Sequence, residues 1–212
     1  KKAAFESIDY DSELKIYGFD INRKAVDAAK ENAEEAGVEV EHYVLSSGLK
    51  EIIEGTSIAK HFEKIYACEF MYRDGQAVWP KLAVNYTNKT QFVYRINKGV
   101  LDISNNVALN SSQPDSEKRV FFSNMIYIGD GLTDVPCMKL VKQSGGHSIA
   151  LYNPGKHRNA AQLLEQDRVD WMFEADYTEG SDLDSAMKTL LQNLASYNQL
   201  QGLKEQQKRE FH

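Results

Sequence analysis

Two aspartates four positions apart, Asp130 and Asp134, stand in Gly129-Asp130-Gly131-Leu132-Thr133-Asp134, directly after the apolar run Met125-Ile126-Tyr127-Ile128. Carboxylates held close together repel one another, so a hard divalent cation with oxygen ligands, most simply Mg²⁺, is a natural partner for them. A turn that only joins a strand to a helix fits the same spacing equally well, with glycine freeing the backbone and Asp capping the next helix. The elements around the two residues set the stage for either reading. The apolar run reads as a buried strand, and Pro136 suits the first turn of a following helix. In an open α/β sheet, ligands bind outside the carboxyl ends of the strands, where both aspartates are then delivered.

The rest of the chain supplies the sheet. An apolar stretch from Leu14 to Ile21 ends at Asp20, and Arg23 to Ala36 carries alanines at helical spacing before Gly37 stops the helix. With a strand from Val38 to Leu45 this makes a βαβ unit, whose right-handed crossover brings Asp20 and Ser46 to one crevice. A helix from about Leu49 to Glu54 and an amphipathic piece over 57–62 follow. Ile65 to Met71 and Gln76 to Trp79 flank Arg73-Asp74-Gly75, a hairpin signal that places a small β flap at about 64–84. The polar run Asn85 to Lys89 leads into a helix over Thr90 to Ile96 closed by Gly99, and residues 102–118 read as a polar, solvent-exposed excursion. After the central loop come a helix over Pro136 to Gln143, a strand over His147 to Tyr152, a helix near Arg158 to Gln166 and a short strand over Val169 to Glu174. A terminal helix from Asp182 to about Glu210 carries Leu183, Met187, Leu190, Leu191, Leu194, Tyr197, Leu200 and Leu203 at helical spacing. The order predicts one α/β domain over residues 1–212: a doubly wound, Rossmann-like parallel sheet with a β-hairpin flap and a long C-terminal helix. That helix is expected to pack on the sheet or to join two copies as a homodimer.

Composition narrows the functions. The 212 residues carry a formal charge of −6 without a clustered basic face, which argues against a nucleic-acid surface. The absence of an eighteen-residue apolar run argues against a membrane span, and the absence of a signal-peptide pattern points to the cytoplasm. Cys68 and Cys137 have no neighbouring His or Cys, so neither a disulfide framework nor a zinc site is expected, and both thiols are expected to be buried. His42, His61, His147 and His157 show no ligand spacing. Tyr72, Trp79 and Tyr86 surround the flap, where packing the hairpin and shaping a substrate pocket are both open to them.

With the elements placed, residues 43 to about 175 resemble the haloacid dehalogenase (HAD) superfamily, nearest its phosphoserine-phosphatase-like phosphatases. Val44-Leu45-Ser46-Ser47-Gly48 resembles that family's second motif, in which Ser46 would bind a phosphoryl oxygen with help from Ser47, Gly48 and the backbone of the following helix. Lys89 resembles the third-motif lysine that offsets charge on the phosphoryl group and the attacking carboxylate, and Lys98, more than two turns further on, is the weaker candidate. Gly129-Asp130-Gly131-Leu132-Thr133-Asp134 is similar to the fourth motif, with Asp130 as a Mg²⁺ ligand supported by Asp134. The resemblance implies a small phosphorylated substrate, Mg²⁺ as cofactor, and a body over residues 41–212.

One part of the pattern is missing. The family's nucleophile is the first Asp of an Asp-x-Asp-x-Thr motif, and no such motif occurs in the sequence. The nearest counterpart is Asp20-Ile21-Asn22, which has a strand and a leading Asp, a candidate nucleophile and further metal ligand. Asn22 cannot pass a proton as the second Asp would. Residues 2–39 instead resemble the second strand and following helix of class I S-adenosylmethionine-dependent methyltransferases acting on ribosomal RNA guanine, in which Asp20 would hold the cofactor's ribose. The Gly-rich loop and the Asn-Pro-Pro-Tyr-type motif of those enzymes are absent. The expectation is therefore a chimera, with a methyltransferase-like βα segment over 1–40 leading into a phosphatase-like body.

Overall fold

The structure, a computed structural model, describes residues 39–211. The expected N-terminal strand and helix, with Asp20 and Asn22, lie outside the described residues.

Among the described residues, six strands form two three-stranded sheets. In the first, β1 (His42–Leu49) runs parallel to β2 (Phe62–Arg73), and β2 runs antiparallel to β3 (Gln76–Leu82). The second holds β4 (Ile126–Gly129), β5 (His147–Tyr152) and β6 (Trp171–Glu174), all parallel. The described residues thus depart from the single parallel sheet expected from the order of elements. The cause is visible in β2: its first half pairs with β1, and from Glu69 onward it pairs with β3. Between β2 and β3, Asp74 and Gly75 both take positive φ, 51° and 77°, the geometry of a type I′ hairpin turn that Asp-Gly favours. Strand β1 starts at His42, later than the expected Val38, and continues through Ser46, Ser47 and Gly48 with a register break between Leu45 and Leu49.

Alternation along the strands builds the layers. Tyr43, Leu45, Tyr66, Tyr127 and Ala150 turn to one core, shared with Phe92, Val93 and Ile96 of α2 (Lys89–Lys98), Cys137, Met138 and Val141 of α4 (Val135–Gln143), and Ala160 and Leu163 of α5 (Arg158–Glu165). Both sheets therefore share one apolar interior. On the opposite face, Ile126, Ile149 and Leu151 pack against Leu183, Met187, Leu190, Leu191 and Leu194 of α6 (Asp182–Glu210). There Val44 and Ala67 meet Ile53 of α1 (Lys50–Glu54). Helices thus cover both faces, and the result is a mixed α/β fold with parallel pairing and a long C-terminal helix, consistent with a Rossmann-like architecture. Helix α6 packs on the sheet through its first half, while Tyr197, Leu200 and Leu203 are exposed. Among the described residues no helix is long and apolar enough to cross a membrane.

The 102–118 excursion is more ordered than its polar composition implies. It contains α3 (Asn106–Asn110), and the buried Arg95 donates to the carbonyls of Asp102 (2.7 Å) and Ile103 (3.0 Å) and to Asn106 Oδ1 (2.6 Å). Lys98 Nζ donates to the carbonyls of Leu109 and Ser111 at 2.6 and 2.8 Å. That assignment removes Lys98 as a candidate site lysine, because its ammonium is committed to the loop. The flap aromatics Tyr72 and Trp79, and Tyr86 beyond it, are exposed, so the hairpin projects into solvent instead of packing them. Cys137 is buried as expected, whereas Cys68 is only half-buried, and the two are free thiols.

Candidate active site

The carboxyl end of β4 carries the densest chemistry among the described residues. Gly129 ends the strand, residues Leu132–Asp134 make a 3₁₀ turn, and α4 begins at Val135 with Pro136 in its first turn. Asp134 is carried back beneath the strand end. Its Oδ1 accepts from Lys89 Nζ at 2.7 Å and from the Tyr127 hydroxyl at 2.8 Å, and all three residues are 5% exposed or less. Such a pair persists out of water only when further hydrogen bonds satisfy it, which Tyr127 does here. Lys89 reaches the pair from the first position of α2, and α2 packs beside α4 in the shared core.

Gly129 makes the arrangement sterically feasible. A Cβ at that position would lie 2.8 Å from Asp134 Cβ and 2.9 Å from both Asp134 Cγ and Met138 Cε. Around the cluster, burial holds the Tyr127 hydroxyl protonated well above the ordinary tyrosine range, and Cys137 and Asp134 reinforce the effect. Burial likewise pushes the Cys137 thiol up to about 12, opposed by the Tyr127 hydroxyl and by Lys89, while Asp134 adds to the rise. Both groups are thus neutral, and Lys89 and Asp134 carry the local charge.

Asp130 contrasts with its partner in the motif. It is exposed and has no hydrogen-bond or ion-pair partner among the described residues. Ser46 lies half-buried near the end of β1, with its Oγ accepting from the Gly48 N–H at 3.0 Å. That bond occupies a lone pair and leaves the hydroxyl proton to donate outward. Cys68 of β2 holds the same segment, its Sγ lying 3.4 Å from the Ser47 carbonyl and accepting from the Val84 N–H at 3.3 Å. The structure therefore joins Lys89 to Asp134 directly, puts Asp130 at the neighbouring surface, and gives Ser46 only a bond within its own turn. Asp20 lies outside the described residues.

Further polar residues gather beside this strand end. A cavity of about 160 Å³ lies beside the β4 loop, lined by Asp130, Gly131 and Leu132 and, from the β5 side, by Tyr152, Asn153, Lys156 and Asn159. Sequence reasoning missed these last residues and also Tyr127. The available signals were a tyrosine on the core-facing side of a buried strand, and a lysine directly after an Asn-Pro-Gly turn at a strand end.

No profile of a known protein family matches the sequence. An uncharacterized protein of Borreliella burgdorferi is 31% identical over 163 residues, covering 68% of this chain and 55% of that protein. The chain thus spans about half the length of this curated relative. Among solved structures, a HAD family hydrolase from Salmonella enterica serovar Typhi matches with a TM-score of 0.39 and 14% identity, over 76% of this chain and 68% of that one. A D-lactate dehydrogenase with NAD⁺ from Lactobacillus jensenii matches with a TM-score of 0.23 and 13% identity, over 80% and 61% of the two chains. Both superpositions are too loose to carry an argument about fold or activity.

Among the described residues no group of three His, Cys, Asp or Glu side chains could hold a metal ion. Mg²⁺ commonly binds through one or two carboxylates and keeps several waters. An exposed, unpartnered Asp130 fits that mode, with Asp134 held just behind it.

Proposed function

We propose that the chain is a HAD-like, Mg²⁺-dependent phosphate monoester hydrolase whose first motif is incomplete. The observation that carries this reading is the buried Lys89–Asp134 pair, braced by Tyr127, directly behind the exposed Asp130 at the carboxyl end of a parallel strand. Asp130 would hold Mg²⁺, together with Asp20, and the bound ion would supply Lewis-acid polarisation of the phosphoryl oxygens. Ser46, its hydroxyl oriented by Gly48, would donate to a phosphoryl oxygen beside the Ser47 and Gly48 backbone. Lys89 would add positive charge behind the site while Asp134 keeps its ammonium in place. Asp20 would attack phosphorus as the alkoxide leaves, and water would then cleave the aspartyl phosphate. Asn22 offers no proton to the leaving group, so substrates with good leaving groups are favoured.

The test is turnover of an aryl phosphate with Mg²⁺ by the wild type, Asp130→Asn and Asp20→Asn. Activity that requires Mg²⁺ and is lost in both variants supports the reading; Mg²⁺-dependent activity unchanged in Asp130→Asn overturns it. A second reading is favoured by one sequence observation, the methyltransferase-like segment standing where Asp-x-Asp-x-Thr is expected. On that reading the chain is a catalytically inactive chimera that retains a metal or phosphate site. It predicts no turnover, with phosphate or Mg²⁺ still bound in an Asp130-dependent way.

A further inference from the structure

Tyr127 belongs to the buried cluster behind Asp130 but to none of the family motifs read from the sequence. It lies in β4, 1% exposed, with its ring in the shared core. A phenylalanine would fill the same space, whereas a hydroxyl taken out of water needs a partner to offset its desolvation. One partner here is Asp134 Oδ1, which accepts from the Tyr127 hydroxyl at 2.8 Å and from Lys89 Nζ at 2.7 Å. Both donors thus converge on a single carboxylate oxygen. The other, Oδ2, has no hydrogen bond or ion pair among the described residues. It lies on the side of Gly131, where an added Cβ would come within 3.6 Å of it. Gly131 directly follows Asp130, so Oδ2 faces the loop that carries the exposed carboxylate.

The two donors hold that carboxylate differently. An ammonium is a compact charge on a flexible four-carbon stem with three equivalent donors, so it can follow a carboxylate that turns about its Cβ–Cγ bond. A hydroxyl on a ring packed in a buried strand cannot follow it. Burial keeps that hydroxyl protonated, so it remains a donor at neutral pH. We propose that Tyr127 is a positioning residue for the cation, holding Asp134 Oδ1 inward and so presenting Oδ2 to the Asp130 loop. Oδ2 then has lone pairs to accept from a water of a hydrated Mg²⁺ held by Asp130, and outer partners of this kind orient a metal's ligands. The inference rests on the Mg²⁺ part of the phosphatase reading and adds to it the group that sets Mg²⁺ affinity.

The test uses Mg²⁺ alone, added to the full chain and followed by calorimetry and by the side-chain carboxyl ¹³C signals of Asp130 and Asp134. Tyr127→Phe removes one oxygen and keeps the ring. It should bind Mg²⁺ about tenfold more weakly than the wild type, the low end of the effect of losing a group that orients a metal ligand. In the wild type Mg²⁺ should move both carboxyl signals, and in Tyr127→Phe the Asp134 signal should respond much less. Val141→Ala, a truncation in the same core on α4, should lower the urea midpoint and leave Mg²⁺ affinity unchanged, which separates positioning from stability. With an aryl phosphate, the Mg²⁺ concentration for half-maximal rate should rise about tenfold in Tyr127→Phe, while KM at saturating Mg²⁺ keeps its wild-type value. Equal Mg²⁺ affinity in the wild type and Tyr127→Phe, an equal loss in Val141→Ala, or a wild-type Asp134 signal that ignores Mg²⁺ overturns the role and leaves the phosphatase reading standing. Mg²⁺ binding that weakens in Tyr127→Phe without turnover of any aryl phosphate supports the role, and the phosphatase reading falls. A wild type that binds no Mg²⁺ overturns both.

Discussion

Replacing Lys89 by methionine removes an ammonium from a site where its side chain is 4% exposed and that of Asp134 is 8% exposed. Methionine keeps most of the aliphatic stem, so the cavity contribution is small and the loss is electrostatic. Asp134 would then be a buried carboxylate with the Tyr127 hydroxyl as its remaining donor. Breaking one side of a buried pair costs about 3–5 kcal/mol, and the surviving Tyr127 bond places the expected loss near 3 kcal/mol. For a domain of this size each kcal/mol corresponds to about 2–4 °C, so the melting temperature should fall by roughly 6–12 °C. Asp134→Leu should be at least as damaging, because it strands an ammonium at the first position of α2, where the helix dipole is already positive. The double variant Lys89→Met/Asp134→Leu removes both charges and should be no less stable than either single variant, giving a coupling of at least about 3 kcal/mol. Urea denaturation followed by circular dichroism, with midpoints compared at constant slope, measures all three. A Lys89→Met loss below about 1 kcal/mol, or a double variant as unstable as the sum of the singles, would show that the pair is not the buried interaction described.

Three other outcomes follow from single sites. Gly129→Ala should destabilise by about 1–3 kcal/mol, because its Cβ must displace Asp134 or Met138, and the proposed Mg²⁺-dependent turnover should be lost with it; an unchanged urea midpoint would refute this. His147 lies at the start of β5 against the Trp171 ring, and burial holds it below its ordinary value of 6.5, with Asp170 opposing. The unfolded chain then binds more protons than the folded one between the depressed value and 6.5, so stability is full above that pH and declines as pH falls through the window. Urea midpoints should fall accordingly, and His147→Gln should flatten that part of the profile. Arg95→Met removes the donors that hold the carbonyls of Asp102 and Ile103. Amide exchange over residues 100–111 should speed up by at least tenfold, the scale of a lost hydrogen bond to a charged group, with little change in β4 to β6.

Local chemistry was legible along the chain. The Asp74-Gly75 hairpin, the Gly99 cap at positive φ and the α4 start beside Pro136 were readable because each depends on the backbone preferences of one or two residues. The buried strands β4 and β5 were readable as short continuous apolar runs, the pattern of a strand covered on both faces. Strand limits were less so. The extension of β1 through Ser46 to Leu49 depends on the partner β2, and β2's exchange of a parallel for an antiparallel neighbour has no marker within its own residues.

The pair Asp130 and Asp134 could be picked out from residue types and spacing, Lys89 and Ser46 were expected only from the family resemblance, and the apolar runs and helical periods indicated an α/β chain with a long final helix. Only the tertiary structure separated the roles of the two aspartates, burying Asp134 against Lys89, 45 positions away, and leaving Asp130 exposed. It alone brought in Tyr127 as the second donor and committed Lys98 to a loop. It also gathered Asn153, Lys156 and Asn159 around the cavity beside Asp130. The physical reason is shared by all of these cases. Propensity and spacing act between residues a few positions apart, whereas burial, charge pairing and cavity lining are set by elements that meet only when the sheets and helices pack.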